Sequence, residues 1–117
     1  MTFGKYIRQK REAFVLANKP DYSVRKVAAR IDIEPSYLSK IERDATPPPS
    51  EATIRRLAEA LQEDPDALLA MAGKVSSDLR QIIQSRPRLF ADLIRQLKDA
   101  PDNAVLRVVR EVRDGQW

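Results

Sequence analysis

Residues 23–44 read SVRKVAARIDIEPSYLSKIERD, and the punctuation of this stretch decides the fold. Ser23 suits the cap of a helix over about Val24–Ile31, with Val27, Ala28 and Ile31 on one face at helical spacing. Asp32-Ile33-Glu34 interrupts it, and the apolar Ile33 is expected to plug the core. Pro35 suits the first turn of a second helix, where its missing N–H costs nothing, and that helix reaches about Arg43. Leu38 and Ile41 mark its core side, while Ser36, Tyr37, Ser39 and Lys40 give it a wettable one. Two short helices joined by a tight turn, the second both core-packed and wettable, form the pattern of a helix-turn-helix that enters a DNA groove.

Working outward, Thr2 can cap a helix over about Phe3–Asn18, with Phe3, Ile7 and Phe14 as its apolar stripe and Ala13 or Ala17 beside them. Asn18-Lys19-Pro20-Asp21 breaks it. Beyond the opening stretch, Pro47-Pro48-Pro49 forces a stiff, extended connection. Ser50 then caps a helix over Glu51–Gln62 with Ile54, Leu57, Ala58 and Leu61 inward, and Asp64 caps another over Pro65–Ala72 with Leu68, Leu69 and Met71. Gly73 is a suitable stop. Five helices in residues 1–73 make a complete small domain.

Residues 74–117 read as a different unit. Ser76 or Ser77 caps a helix to about Gln84, with Leu79, Ile82 and Ile83. Ser85 is expected to cap the next, to about Lys98, which carries Leu89, Phe90, Leu93, Ile94 and Leu97. A last helix runs to about Arg113 with Val105, Leu106, Val108, Val109 and Val112. About 40 residues bury little core alone. The apolar faces are therefore expected to pack on a second copy, through Leu89, Phe90, Leu93, Ile94, Leu97, Val105, Val108, Val109 and Val112, with packing back on residues 1–73 as the blander alternative.

Composition narrows the function classes. The chain has no Cys and no His, which excludes thiolate zinc sites, thiol nucleophiles and the commonest general base. There is no Gly-rich phosphate loop and no pair of carboxylates placed for catalysis, so neither an enzyme nor a bound metal or cofactor is expected. No apolar run approaches the ~18 residues that span a bilayer, and the amphipathic, charged start MTFGKYIRQKREAF is no signal peptide. A cytoplasmic protein with no membrane partner is expected. The net charge of +4 is uneven: residues 1–43 carry ten Lys/Arg against five acids, residues 44–74 three against six, and residues 75–117 eight against six. The basic excess thus coincides with the helix-turn-helix.

With these residues in hand, the chain resembles the XRE family of helix-turn-helix regulators, the group typified by lambdoid phage repressors, over about residues 3–70. The resemblance is carried by Phe3, Ile7 and Arg11; Val27-Ala28; Ile33, Leu38, Ser39, Ile41 and Glu42; a Pro-containing loop; then Ile54, Leu57, Ala58, Leu61, Leu68 and Leu69. It implies a five-helix lambda-repressor-like DNA-binding domain; it does not cover the tail from Val75, whose three helices are read as a dimerisation unit from their apolar faces, so the whole chain is expected to be all-α. It also implies a partly buried ion pair between Arg11 and Glu42. Val24 stands where the family usually has a Gln that braces the DNA. Asp32 and Asp44 stand where Gly is common, and left-handed backbone is expected at both. The link Ala17–Tyr22 is longer than usual.

By this analogy Ser36, Tyr37 and Lys40 lie on the part of the helix that enters the major groove, where Ser36 and Lys40 can bond base edges and Tyr37 can stack on a thymine methyl or bond a phosphate. Ser39 either joins them or turns inward. Pro35 offers only apolar contact, and Glu34 either accepts from a cytosine or simply favours the helix N-terminus. Ser23, Arg25, Lys26 and Arg43 are expected at phosphates, whereas Lys5, Arg8 and Lys10 read as plain solvation. The expected function is that of a dimeric, sequence-specific repressor on double-stranded DNA with a palindromic operator. Two alternatives stay open: an antitoxin-like protein that neutralises a toxin partner, and a repressor inactivated when a partner protease cuts its C-terminal unit.

Overall fold

The computed structural model describes residues 1–117 and is helical throughout, with α1 Phe3–Leu16, α2 Val24–Arg30, α3 Pro35–Glu42, α4 Glu51–Leu61, α5 Pro65–Met71, α6 Ser77–Ser85, α7 Pro87–Leu97 and α8 Asp102–Asp114. The chain divides into two units, Met1–Ser76 and Ser77–Trp117. Lys74–Ser76 stay with the first: the Lys74 ammonium donates to the Pro49 carbonyl at 2.9 Å, and Ser76 is buried.

The first unit starts four of its five helices on side-chain caps. Thr2, Ser23, Ser50 and Asp64 each accept a backbone N–H three residues on, which satisfies one of the orphan donors of α1, α2, α4 and α5. The five helices also end alike. In each, two backbone bonds close a left-handed turn, as in Ile33 N–H to Ala28 and Asp32 N–H to Ala29 after α2. Only the turn after α5 uses glycine, Gly73; the others place Asn18, Asp32, Asp44 and Gln62 at φ near +60°. Asp32 and Asp44 were expected there; Asn18 and Gln62 were not.

The core of this unit is formed by Phe3, Ile7, Val27, Ala28, Ile31, Leu38, Ile41, Ile54, Leu57, Ala58, Ala60, Leu61, Leu68 and Leu69. Helices α1 and α2 both pack on α3, and α4 packs on α5. Ile33 is half-buried against this core. Three expectations need correction. Ala13 and Ala17 are exposed; their place on the buried face of α1 goes to Gly4 and Arg11. Met71 lies outward at 46 % exposure, because α5 is a short helix whose buried contacts are made by Leu68 and Leu69. Lys10 is not merely solvated. It pairs with Glu63 at 2.9 Å, and the Tyr6 hydroxyl donates to the same carboxylate at 2.7 Å.

Phe14, Tyr22 and Arg30 make a column beside the long α1–α2 link. The Phe14 and Tyr22 rings stack at 4.2 Å, and the Arg30 guanidinium sits 4.8 Å from the Tyr22 ring centre. Arg30 also donates to the Asp21 carbonyl, which holds the left-handed Asp21 in place.

In the second unit, α6 packs on α7. Ser85 does not cap α7 as expected. It ends α6, and its hydroxyl donates to the Ile82 carbonyl, so α7 starts at Arg86-Pro87 with no side-chain cap. None of the three helices buries a residue.

Candidate nucleic-acid interface

The geometry of the first unit begins with how α3 is held. Leu38 and Ile41 are fully buried or nearly so, and Glu42 is 5 % exposed. Arg11 reaches Glu42 from α1 with two hydrogen bonds, Nε to Oε2 at 2.7 Å and a second guanidinium nitrogen to Oε1 at 2.9 Å. Fork geometry of this kind fixes orientation as well as distance. The bond to Glu42 holds the Arg11 pKa above its ordinary value against the opposing effect of burial. Past the end of α3, the Asp44 carboxylate accepts from the Gly4 N–H at 3.1 Å and from the Thr2 hydroxyl at 2.7 Å. The helix is thus clamped to α1 at its last turn and just beyond.

Ser36, Lys40 and Pro35 are exposed on α3. Tyr37 and Ser39 are half-buried, and Tyr37 packs against the core. Glu34 sits at the N-cap of α3, yet its side chain makes no capping bond and is exposed. It lines a shallow hollow of ≈ 450 Å³ with Asp32, Ala29, Ile33 and Tyr37. The leading edge of α3 therefore carries two carboxylates. That edge suits amino donors on bases and repels phosphates.

The cations lie around it. Ser23, Arg25 and Lys26 are exposed at the N-terminus of α2. The Ser23 hydroxyl is engaged by the Lys26 N–H, while the Lys26 ammonium stands 4.0 Å from Asp21 in a solvent-exposed pair that contributes little. Arg43 is exposed, and its Nε donates back to the Ser39 carbonyl at 3.3 Å. Because α2 packs on α3, both sets belong to one rigid pair of helices. Val24 is half-buried against the core, so its side chain is committed to packing. No group of three or more carboxylates is placed to hold a metal ion.

A family model described as a helix-turn-helix domain matches residues 2–71. The chain belongs to the helix-turn-helix domain family. The match spans all of α1–α5 and agrees with the XRE-like character of the sequence. No curated protein and no solved structure matches the chain. Helix-turn-helix domains are DNA-binding modules that present their second helix to the major groove; in this chain the turn is Ile31–Glu34 and that helix is α3. No helix is long and apolar enough to cross a membrane.

Sequence reasoning missed the Lys10–Glu63–Tyr6 link and the Asp44–Gly4 clamp. Both join residues 40 or more positions apart, and nothing local signals such a pairing.

Proposed function

We propose that the protein is a dimeric, sequence-specific transcriptional regulator that acts as a repressor in the cytoplasm. The observation that carries this reading is an α3 anchored by Arg11–Glu42 with Ser36 and Lys40 outward. Ser36, Tyr37 and Lys40 meet base edges, with Pro35 and Ser39 alongside and Glu34 turned to a cytosine amino group. Ser23, Arg25, Lys26 and Arg43 position the domain on phosphates. Two copies held through residues 77–117 would place α3 in successive major grooves of a palindromic site, ~34 Å apart.

The test is binding of the full chain to DNA from its own promoter region, followed by fluorescence anisotropy and light scattering. A dimer of about twice 13.3 kDa that binds this DNA, and loses it on Lys40→Ala with Arg43→Ala, supports the reading; a chain indifferent to that DNA overturns it.

The uncovered apolar faces of α6–α8 favour a second reading. They would equally seat another protein, as in an antitoxin-like role or in a repressor released when a protease removes this unit. Co-purification of a stable one-to-one complex with the product of a neighbouring gene, in place of a homodimer, would establish it.

A further inference from the structure

The first unit carries a hollow of ≈ 390 Å³ that the recognition helix does not use. Tyr22, Arg30 and Ile31 line it around α2, and Arg56, Glu59 and Ala60 line it on α4. Ile31 and Ala60 are buried and give it an apolar floor. The Tyr22 ring is held by its stack on Phe14 and by the Arg30 guanidinium over it. The hollow is more enclosed than the one beside Glu34. Its volume falls at the low end of the ~300–1,000 Å³ of small-molecule sites, which leaves room for a metabolite of amino-acid size.

The charges around this hollow select the class of ligand. Arg30 is placed by the Tyr22 ring and by its bond to the Asp21 carbonyl at 2.7 Å. Arg56 Nε donates to the Ala52 carbonyl at 3.4 Å. These partners are neutral, so both positive charges stay uncompensated and each guanidinium keeps further N–H donors. Glu59 stands one turn beyond Arg56 on α4, yet none of the three takes part in an ion pair. An apolar molecule would strip water from three charges without pairing them. A simple anion would be repelled by the Glu59 carboxylate. We infer that the hollow binds a small amino dicarboxylate of the kind of L-glutamate or L-aspartate. Arg30 and Arg56 each take one of its carboxylates through guanidinium N–H donors, and Glu59 takes its ammonium. Ile31 is the C-cap of α2 and opens the turn to α3, so an occupant that ties α2 to α4 also biases the helix pair that meets DNA. That regulatory part rests on the proposed function; the binding itself does not.

Calorimetry on the full chain, with L-glutamate and L-aspartate as probes, reads the site without DNA. Saturable binding in the millimolar range or tighter is expected. L-Glutamine and glutarate, each lacking one charged group, should bind about tenfold more weakly or worse. Arg56→Gln and Glu59→Gln, at exposed positions of α4, should each weaken glutamate binding by about the same factor with the circular dichroism unchanged. No binding of either amino acid up to about 10 mM, or glutarate binding as tightly as glutamate, overturns the site. Fluorescence anisotropy on promoter DNA, in potassium glutamate against potassium acetate at equal ionic strength, reads the coupling. A change of about fivefold or more in DNA affinity is expected. Bound glutamate that leaves DNA affinity unchanged overturns the regulatory role and keeps the site. A chain that binds glutamate and no DNA overturns the proposed function and likewise keeps the site.

Discussion

Arg11 and Glu42 face each other across the interior of the first unit, with guanidinium and carboxylate joined by two hydrogen bonds of 2.7 and 2.9 Å and side chains 9 % and 4 % exposed. A third Arg11 bond runs to the Tyr22 carbonyl at 3.2 Å, so one side chain ties α1 to α3 and to the link before α2. Removing either partner strands a charge in a dry site. Arg11→Ala or Glu42→Leu is expected to destabilise the domain by about 3–5 kcal/mol. The double variant Arg11→Met with Glu42→Leu should recover most of that loss. Urea unfolding followed by circular dichroism measures all three.

The two glycines of the first unit should respond differently to alanine. A methyl group on Gly4 would run into the Ile41 carbonyl and the Asp44 carboxylate, both fixed at the end of α3. Gly4→Ala is expected to cost about 2 kcal/mol or more. At Gly73 there is open space, and the cost arises only from φ +75°, about 1 kcal/mol. Thermal melts of the two variants should rank them in that order.

Glu63 gives the domain an acid-sensitive tie. Hydrogen bonds from Lys10 and then from Tyr6 hold its carboxyl below the usual glutamate range. A carboxylate whose folded-state pKa is lowered contributes stability above its unfolded value of ~4.3, and loses it as pH falls through the folded value. Glu63→Gln should therefore lower stability at neutral pH by about 1 kcal/mol, a modest figure because Lys10 is partly in water. The difference from the parent chain should close as pH falls below ~4.3. Melting curves from pH 7 to pH 3 would show it.

DNA binding should separate into two kinds of loss. Lys26→Ala is expected to weaken binding evenly across sequences and to reduce the salt slope by about 1. Lys40→Ala is expected to cost about 1–3 kcal/mol and to relax preference at one base pair. Titrations of a panel of single-base operator variants at several salt concentrations tell the two apart.

Where the chain is cut should matter. Truncation after Ser76 keeps the Lys74–Pro49 bond and the buried Ser76 and should leave a folded first unit. Truncation after Gly73 removes both and should melt at a lower temperature. Either form should bind operator more weakly than the full chain if the second unit supplies the dimer.

Much of the fold was legible because the helix starts are written in local chemistry. Thr2, Ser23, Ser50 and Asp64 announce α1, α2, α4 and α5, and Pro35 announces α3. Ser85 failed as a signal because its hydroxyl is satisfied backwards, inside α6. The stops at Asn18 and Gln62 were read to within a residue or two, but their left-handed backbone was not, because neither residue type demands it. Burial was less readable than helicity. A stripe at 3/4 spacing accommodates Ala13 or Arg11 about equally, and the choice of Arg11 as the buried member depends on Glu42, 31 positions away. At the candidate interface, polarity on α3 was readable. That Glu34 caps nothing and that Tyr37 leans on the core are facts of tertiary structure.

The tie from Lys74 to the Pro49 carbonyl also has a mechanical meaning. Tension delivered along the chain from residue 77 enters the first unit at Ser76, then at that bond and the turn closing α5. Helix α3 is secured elsewhere, by Arg11 and by Asp44. A pull on the C-terminal helices would load α5 first, and α3 would be among the last parts to feel it.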